Sequence, residues 1–422
     1  MGRVSWVLSV GLAVLIGTAD AADAARVIDR LRFVGNDVTQ ESILRQELLL
    51  REGDVADPGR IEASRQALLN LGLFKEVEAL LVDDPALGQV LEFRLTEKYY
   101  ILPIPRIRRS ADGDYGYGAE LRFDNLFGLN QQLKLLHENE DDGNGVLRKT
   151  RVDWSVPRLI GSRFGLDLGL RHDSGRQDGG VGEVLPDAYD EKTLGLRMAM
   201  TRWLLHEGPS RGWRLRGGVE WMNREFTPLD PTTSTMTGKD LEWLFGVLYT
   251  DFDDLGATRD GVEYGGELRV GLRDVGADVD HRRLELFYRA WRPLGAGQNL
   301  DYQVSTGYVD RTAFGDAAFS LGGGNSLRGY SGGAFKGDGY ALANVEYSVP
   351  LYGEQAFRAA GFVDVGQVFK PHTPDSSGLK FGTGVGLRIN LRWFVRTELR
   401  FDLGWAPAEG QTRFYAATNS LF

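Results

Sequence analysis

The chain has 422 residues, a formal net charge of −10 and no cysteine. The lack of cysteine excludes a disulfide framework, a thiolate metal site and a cysteine nucleophile. The acidic balance argues against general nucleic-acid binding, which needs a basic face. The 55 glycines are many for this length, and they suit tight turns and strands that bend around a barrel.

The N-terminus has the pattern of a secretory signal peptide. Arg3 supplies a short positive region, an apolar run follows over 4–17, and small residues just before position 25 offer an A-x-A cleavage site. We therefore predict a signal peptide over 1–24. Its apolar run is too short to span a bilayer comfortably, and no longer apolar stretch follows. Membrane residence would then require a closed barrel, because open sheet edges are not tolerated in hydrocarbon.

A compact α+β unit is predicted over 25–98, in the order strand, helix, helix, strand, strand. Thr39 is a candidate cap for the first helix, because its hydroxyl can accept from a first-turn N–H. Asp57 followed by Pro58 suits the cap and first turn of the second helix. Gly72 suits the left-handed conformation that ends a helix. The sequence pattern of this unit therefore differs from the pattern of the rest of the chain.

From 99 to 422, apolar and polar residues alternate in segments of about ten residues. One segment places Leu399 and Phe401 on one face and Arg400 and Asp402 on the other, because a strand directs successive side chains to opposite faces. Lipid outside and water inside a barrel produce this pattern. We predict an all-β transmembrane barrel of about 16 antiparallel strands. A soluble β-sandwich also alternates, but it explains neither the length of the array nor the charged inner faces.

The connections between the predicted strands alternate in length. Short turns are predicted at 127–130, 159–161, 294–297 and 352–354, and long loops at 172–190, 226–240, 311–338 and 370–378. Bacterial barrels have short periplasmic turns and longer loops outside. With an even number of strands, both ends of the barrel sheet face the periplasm, where the α+β unit would lie.

Two motifs lie within the barrel array. The segment 320–330 reads SLGGGNSLRGY, and the segment 362–366 reads FVDVG, with Phe362 and Gly366 at its ends. The α+β unit adds a third signal, because its second helix ends in LLNLGLF over 68–74. Together these features resemble the BamA/TamA family of outer-membrane barrels, and the α+β unit resembles one POTRA domain. The resemblance covers essentially the whole chain after the predicted signal peptide.

The resemblance implies that the glycine-rich loop folds back into the barrel. Arg328 of its R-G-Y motif, followed by Gly329 and Tyr330, would then meet Asp364 of the F-x-D-x-G motif on the inner wall. A guanidinium can grip a carboxylate at two points, so this pair would lock the loop inside the lumen. The alternative interpretation is an ordinary outer loop with a solvated arginine.

The barrel seam is a second candidate site, because a barrel closes by pairing its first strand with its last. The predicted first strand contains Pro103 and Pro105, which have no N–H to donate. If their edge faces the last strand, which ends at the terminal Phe422, the seam is suited to opening sideways. Alternatively, the prolines only rigidify the start of the strand, where proline is tolerated. The resemblance implies that the last strand and Phe422 form an assembly signal.

No enzyme chemistry, metal or cofactor is predicted. The five histidines, at positions 137, 172, 206, 281 and 372, fall mainly in predicted loops and near strand ends. None has H-E-x-x-H spacing. The glycine-rich segment 382–386 lies in an alternating strand with no following helix, which favours small residues in a barrel wall over a nucleotide loop. No nucleophile–base arrangement is present in the sequence pattern.

We predict a non-enzymatic outer-membrane assembly factor, accessory or specialised, whose seam and POTRA edge receive client strands by β-augmentation. The predicted partners are outer-membrane lipid, unfolded β-barrel or secreted polypeptide clients, and periplasmic proteins at the POTRA domain, with no nucleic acid. The alternative is a polypeptide-translocating pore of the two-partner secretion type. Such pores usually have two POTRA domains and an N-terminal plug helix, and we expect no room for that helix here.

Overall fold

The computed structural model describes residues 26–109, 115–141, 145–178, 188–311, 319–351, 354–369 and 378–418. The predicted signal peptide, His372, most of the predicted turn at 352–354 and the terminal Phe422 lie outside these residues. The described chain forms an α+β domain followed by a large antiparallel sheet. Within the described residues, no helix is both long enough and apolar enough to cross a membrane.

The N-terminal domain contains two helices and a three-stranded sheet. Its elements are β1 (Arg30–Val34), α1 (Glu41–Glu47), α2 (Pro58–Asn70), β2 (Phe74–Asp84) and β3 (Gly88–Glu97). The central strand β3 pairs in parallel with β1 and antiparallel with β2. The order strand, helix, helix, strand, strand agrees with the sequence prediction, and both outer strands of this small sheet have one edge without a strand partner among the described residues.

Local sequence explains where the helices begin and end. The Asp57 side chain accepts a 2.8 Å hydrogen bond from a first-turn N–H of α2, and Gly72 beyond its end has a φ of +77°, which glycine adopts without strain. The helix α1 differs from the prediction. It begins after Gln40 without a side-chain cap, because the Thr39 hydroxyl instead donates to a Glu97 carboxylate oxygen at 2.5 Å.

Apolar residues from both helices and the small sheet form the core of the N-terminal domain. Its fully buried members are Ile28, Ile43, Leu44, Leu68, Leu91 and Phe93. Two residues from connections of the large sheet, Leu129 and Val395, pack against the same core. Burying apolar surface contributes about 25 cal/mol per Å², so these contacts fasten the domain to the base of the large sheet.

The remaining chain forms one 16-stranded antiparallel sheet, in which strands adjacent in the sequence pair with each other. The first eleven strands are β4 (Ile101–Arg109), β5 (Tyr115–Leu126), β6 (Gln131–Asp141), β7 (Val146–Val156), β8 (Phe164–Asp178), β9 (Ala188–Trp203), β10 (Arg211–Pro228), β11 (Met236–Asp254), β12 (Arg259–Gly271), β13 (His281–Gly295) and β14 (Gln298–Val309). A separate hairpin follows, formed by β15 (Phe319–Leu321) and β16 (Phe335–Gly337). The sheet resumes with β17 (Gly339–Leu351), β18 (Glu354–Phe369), β19 (Lys380–Asn390), β20 (Glu398–Ala406) and β21 (Gln411–Thr418).

The two faces of the sheet differ as the alternation predicts. In β20, Arg400 and Asp402 are buried while Leu403 and Trp405 are 48% and 46% exposed. The exposed face also has a band of aromatic rings on five adjacent strands, with neighbouring centroids 5.0 to 6.2 Å apart. The band contains Trp213, Tyr249, Tyr264, Tyr288 and Tyr302. Aromatic girdles of this kind mark the membrane–water interface of outer-membrane barrels.

The sheet curls around a polar interior. A cavity of about 390 Å³ is lined by Gln132, Arg259, Glu346 and Glu398, whose strands lie far apart in the sheet order. The strands are also unequal in length, because β10 and β11 have 18 and 19 residues whereas β4, β20 and β21 have 9, 9 and 8. Within the described residues, the strands at the two ends of the sheet are therefore the shortest in the wall.

Two of the predicted long loops are shorter in the structure than in the sequence prediction. Strand β8 continues to Asp178 and β9 begins at Ala188, while β10 continues to Pro228 and β11 begins at Met236. The backbone ladders persist through these polar segments, because paired strands satisfy their own backbone hydrogen bonds outside hydrocarbon as well as within it. The strand count is unaffected.

Candidate functional site

Arg328 lies at the centre of a buried cluster of charges inside the curled sheet. Its side chain and that of Asp364 are both 0% exposed. The Arg328 Nε and Nη2 atoms each donate to a different Asp364 oxygen at 2.8 Å, and its backbone N–H adds a third bond at 3.0 Å. The Phe362 ring covers the guanidinium, with the Cζ atom 3.4 Å from the ring centroid. This arrangement holds the loop against the inner wall.

The cluster extends beyond this pair and balances three positive with three negative charges. Its members, called the charge cluster below, are Arg328, Arg388, Arg400, Glu346, Asp364 and Asp402. Glu346 accepts from Arg328 at 2.8 Å and from Arg388 at 2.6 Å, and Asp402 lies 2.7 Å from Arg388. Buried charges are tolerated only when they are paired and hydrogen-bonded, and here every member has an opposite charge within 4 Å.

Glycines make room for the loop to approach the wall. A Cβ atom added at Gly382 on β19 would lie 1.8 Å from the Arg328 carbonyl oxygen, and one at Gly404 on β20 would lie 2.7 Å from the Gly329 nitrogen. Gly329 itself has a φ of +102°, and Gly366 would place a Cβ 2.9 Å from a loop leucine. Because any side chain at these positions would displace the loop, the wall and loop are matched in shape.

The loop also contacts the last strand of the sheet. The Tyr415 hydroxyl on β21 accepts from the Gly329 N–H at 2.9 Å and donates to the Tyr330 carbonyl oxygen at 2.8 Å. Arg413 donates to the Gly329 carbonyl oxygen at 2.8 Å, and the Tyr330 hydroxyl donates to the Phe381 carbonyl oxygen at 3.0 Å. The R-G-Y segment therefore bridges the F-x-D-x-G strand and the strand at the end of the sheet.

The first strand of the sheet has an edge that is deficient in donors. Asp124 N on β5 donates to Tyr100 O at 2.6 Å, and the β4–β5 register places these two residues opposite each other. In an antiparallel pair, only alternate residues exchange hydrogen bonds with a given neighbour, so the even-numbered residues of β4 face β5. Pro103 and Pro105 therefore face the outer edge of β4, where their missing N–H groups leave two gaps. Among the described residues, no ladder joins β4 to β21.

The end of this seam nearest the N-terminal domain, called its base below, is nevertheless closed. Tyr99 N, immediately before β4, donates to Trp393 O at 2.6 Å, and Tyr99 forms a parallel bridge with Phe394. Arg122 on β5 donates to the Thr397 hydroxyl at 2.5 Å. The connection between β19 and β20 thus joins both ends of the sheet near the N-terminal domain. Phe422, the remaining predicted seam residue, lies outside the described residues.

Two short turns of the large sheet, after β7 and after β9, contact a buried carboxylate of the N-terminal domain. The Glu47 side chain on α1 is 3% exposed and lies 3.0 Å from Arg158 Nη1 and 3.1 Å from His206 Nε2. Arg158 also donates to the Gln46 carbonyl oxygen at 3.0 Å, and the Trp203 ring packs edge-on against His206. Removing one partner of such a buried set leaves an uncompensated charge. This contact therefore fixes the N-terminal domain at the end of the sheet where these two turns lie.

A second contact involves the end of β11 and the connection between β19 and β20. The Asn70 side chain accepts from Asp254 N at 2.8 Å and donates to Asp253 at 3.0 Å, while Arg396 donates to the Asn70 carbonyl oxygen at 3.1 Å. Burial lowers the pKa of the nearby Lys98 ammonium, and the charge of Asp254 opposes that shift. The N-terminal domain is thus held by the turns after β7 and β9, by the end of β11 and by the connection after β19.

Comparison with known families agrees with this architecture. A family model described as the Omp85 superfamily domain matches residues 125–418. A POTRA model, described as a surface antigen variable number repeat, matches residues 27–98. Together the two matches cover the N-terminal domain and nearly the whole described sheet.

Two curated relatives bear the name outer membrane protein assembly factor BamA. The protein from Neorickettsia risticii (strain Illinois) is 33% identical over 116 residues, which are 25% of this chain and 14% of the relative. The protein from Nitratidesulfovibrio vulgaris is 21% identical over 408 residues, which are 91% of this chain and 49% of the relative. The chain therefore spans about half the length of these relatives at most.

Solved structures with similar folds include two CdiB proteins and one BamA. CdiB from Escherichia coli has a TM-score of 0.67 and 16% identity, covering 93% of this chain and 76% of that one. CdiB from Acinetobacter baumannii has a TM-score of 0.63 and 17% identity, covering 93% and 73%. BamA from Haemophilus ducreyi lacking POTRA domains 1–3 has a TM-score of 0.55 and 16% identity, covering 93% and 84%. At these identities, the likeness establishes the fold alone.

Proposed function

Because the chain belongs to the Omp85 superfamily and is of its BamA/TamA type, we propose that it is a non-enzymatic, accessory or specialised factor that helps other proteins insert into the outer membrane. In this proposal, residues 1–24 are a signal peptide, residues 25–98 form a periplasmic POTRA domain and residues 99–422 form the barrel. The clients are unfolded β-barrel polypeptides, which cross the surrounding lipid as strands.

The observation that carries the proposal is the donor-deficient outer edge of β4. Pro103 and Pro105 remove two N–H groups from that edge, so a strand paired with it would lose two hydrogen bonds, each with a net contribution of about 0.5–1.5 kcal/mol. A weakly paired edge can exchange its partner for an incoming strand. The client then gains backbone hydrogen bonds that it cannot find in lipid.

The shape of the sheet supports the same location. In the part of the chain that the structure describes, the strands at the two ends of the sheet are about half as long as β10 and β11. A hydrophobic band shorter than the bilayer thins the lipid beside it, which lowers the distance that a client strand must cross. The proposed site of insertion is therefore the outer wall beside β4 and β21.

The charge cluster is proposed to keep the loop docked while the seam opens for a client strand. Arg328 ties the loop to β17 and β18, and Tyr415 ties it to β21. In this role the loop supports the inner side of the last strand, so that the outer edge can open without collapse of the lumen. The lock residues are proposed to be Arg328, Gly329, Tyr330 and Asp364, with Phe362 and Gly366 shaping the wall.

The POTRA domain is proposed to receive clients or periplasmic proteins before the barrel does. Its outer strand β2 has an edge without a strand partner among the described residues, and such an edge can accept an extended segment. This edge belongs to the domain that packs against the connections of the large sheet at Leu129 and Val395. A client bound there would therefore start close to the base of the seam.

A polypeptide-translocating pore of the two-partner secretion type is the second candidate function. The cavity of about 390 Å³ favours it, because Lys98, Arg122, Arg358 and Arg396 line a polar space beneath the loop. A translocating chain would pass through this space, which requires both the loop and the POTRA domain to move. The two candidates thus differ in the path of the client.

A disulfide across the seam separates the two candidates. The natural chain has no cysteine, so one cysteine replacing Pro103 or Pro105 and one replacing Ala416, all exposed positions, give a single engineered pair. The assay measures folding of an unfolded eight-stranded outer-membrane barrel into proteoliposomes that contain the purified protein. Insertion through the seam predicts that oxidation removes the acceleration and that reductant restores it.

The control is a disulfide between two adjacent strands in the middle of the sheet, away from the seam. Val219 on β10 and Met198 on β9 lie opposite each other, so a Val219→Cys/Met198→Cys pair adds the same chemistry away from the seam. Full acceleration with the seam oxidised would contradict insertion there. Export of a polypeptide across the membrane while the seam is held oxidised would favour the pore.

A further inference from the structure

A cluster of three metal-binding side chains lies at the rim of the sheet distant from the POTRA domain. Asp240 and Glu242 on β11 and His281 on β13 direct one ligand atom each to a common point, and these atoms lie within 4.8 Å of one another. We propose that this cluster binds one divalent transition-metal ion. The rim is the end of the barrel that faces away from the periplasm, so the ion would come from outside the cell.

The register of three strands assembles the cluster. Glu242 pairs with Gly271 on β12, and Gly271 pairs with His281, so the three residues form a row across the sheet. A Cβ atom added at Gly271 would lie 2.1 Å from His281 Cε1. The imidazole therefore lies flat over the Gly271 backbone and reaches across β12 to Glu242. Any other residue at 271 would obstruct this position.

One ring nitrogen of His281 is held by the backbone, and the other faces the two carboxylates. His281 Nδ1 lies 3.0 Å from the Val279 carbonyl oxygen, which accepts only from a protonated nitrogen. The Nε2 atom then faces Glu242 Oε1 at 3.0 Å and Asp240 Oδ2 at 3.6 Å. A backbone carbonyl on one ring nitrogen is the usual support for a metal on the other. Either a metal ion or a second proton on the ring satisfies both carboxylates.

The spacing of the ligand atoms fits a metal ion. With bonds of about 2.0–2.2 Å to nitrogen and oxygen, tetrahedral ligands lie roughly 3.4 Å apart, close to the 3.0 and 3.6 Å observed. Glu242 is oriented by Arg269, which donates to its other oxygen at 3.4 Å. Asp240 Oδ1 is buried and has no hydrogen-bond partner among the described residues, so it can turn toward an ion.

The ligand set selects the kind of metal. One imidazole and two carboxylates suit Zn²⁺ and related first-row ions, whereas Ca²⁺ and Mg²⁺ prefer sites made entirely of oxygen. Three protein ligands leave a fourth position for water. The connection between β12 and β13 lies beside the site, because Asp278 and Lys239 exchange hydrogen bonds of 2.6 and 2.9 Å. A bound ion would therefore hold this connection on β11.

The test is a calorimetric titration of Zn²⁺ into the purified full-length protein in detergent after treatment with EDTA. The proposal predicts one Zn²⁺ per chain. His281→Gln and Asp240→Asn should each weaken binding by at least about 100-fold, because losing a ligand costs no less than losing its supporting group. His137→Gln is the matched control, since His137 is exposed and lies elsewhere on the sheet, and its binding should equal that of the wild type.

A second variant tests the geometry without removing any ligand. Gly271→Ala should weaken Zn²⁺ binding at least about tenfold, because the new methyl group displaces the imidazole. Gly361→Ala is its control, since a Cβ there meets no atom within 4 Å. Heat-modifiable mobility on gels checks that each variant is folded. Two results would overturn the proposal: the wild type binds Zn²⁺ no more tightly than His281→Gln does, or Gly271→Ala binds it as tightly as the wild type does. The cation between the carboxylates would then be a proton on the His281 ring.

Discussion

Replacing Arg328 with alanine is the sharpest perturbation of the proposed lock. The substitution removes two side-chain hydrogen bonds to Asp364 and one to Glu346 from a side chain that is 0% exposed. The backbone bond from residue 328 can remain, but Asp364 keeps only the 2.7 Å bond from Asn344 among the described side chains. Glu346 retains Arg388. The main loss is therefore a buried carboxylate without its counterion.

The size of the effect follows from that loss. Removing one partner of a buried ion pair costs about 3–5 kcal/mol, which corresponds to a change of about 100- to 4,000-fold in the docking equilibrium of the loop. Water that enters the lumen would solvate Asp364 and move the value toward the lower end. The barrel itself should remain folded, because its ladders do not depend on Arg328.

Hydrogen–deuterium exchange on the folded protein in detergent measures this equilibrium. The Gly329 amide, which donates to Tyr415, should exchange about 100-fold faster or more in Arg328→Ala, with the same change in neighbouring loop amides. Arg171→Ala is the control. Arg171 is also paired on an inner face, with Asp173, but it is 38% exposed and Arg151 remains 3.9 Å from the same carboxylate, so its loss should leave the loop docked.

The result that would refute this reasoning is specific. If the Gly329 amide exchanges at the same rate in Arg328→Ala, Arg171→Ala and the wild type, the charge cluster does not hold the loop. Equal client folding by Arg328→Ala and the wild type would in addition remove the loop from the proposed mechanism.

Three further predictions concern the domain contact, the seam and acid stability. Glu47→Ala should expose the contact between the two domains to proteolysis, since it leaves Arg158 unpaired at a cost of about 3–5 kcal/mol, whereas Glu41→Ala, which breaks an exposed pair, should not. Replacing Pro103 and Pro105 together with alanine restores two donors and should slow client folding in proteoliposomes. The Arg65 hydrogen bond lowers the pKa of Glu62. This stabilisation is fully present above the unfolded pKa of about 4.5 and is lost as the pH falls through the lower folded pKa. Melting curves of the full chain should therefore show a lower stability of the POTRA domain as the pH falls below the unfolded value.

The sequence predicted the large sheet well because the signal is local. Alternation places Leu403 and Trp405 on one side of β20 and Arg400 and Asp402 on the other, and the structure has the same division. A period of two follows from the strand backbone alone, so no knowledge of the neighbouring strands is required. The strand ends were less predictable, since polar strand segments outside the bilayer have the composition of loops.

The composition of the site depends on strand register, which the sequence pattern does not contain. The resemblance named Arg328 and Asp364, but Glu346, Arg388 and Tyr415 were not predicted. Nearly every strand has charged residues on its inner face, and only the pairing of β17 to β21 decides which of them meet. The sequence also did not bring His281 together with Glu242, because the two residues lie two strands apart.

The path of a client tests the proposed function most directly. A photocrosslinking residue at Pro105, on the outer edge of β4, samples the seam, and one at Lys134, which lines the cavity, samples the lumen. With an unfolded barrel protein supplied to proteoliposomes, insertion at the seam predicts client adducts at position 105 and not at 134. Adducts at 134 with none at 105 would contradict it.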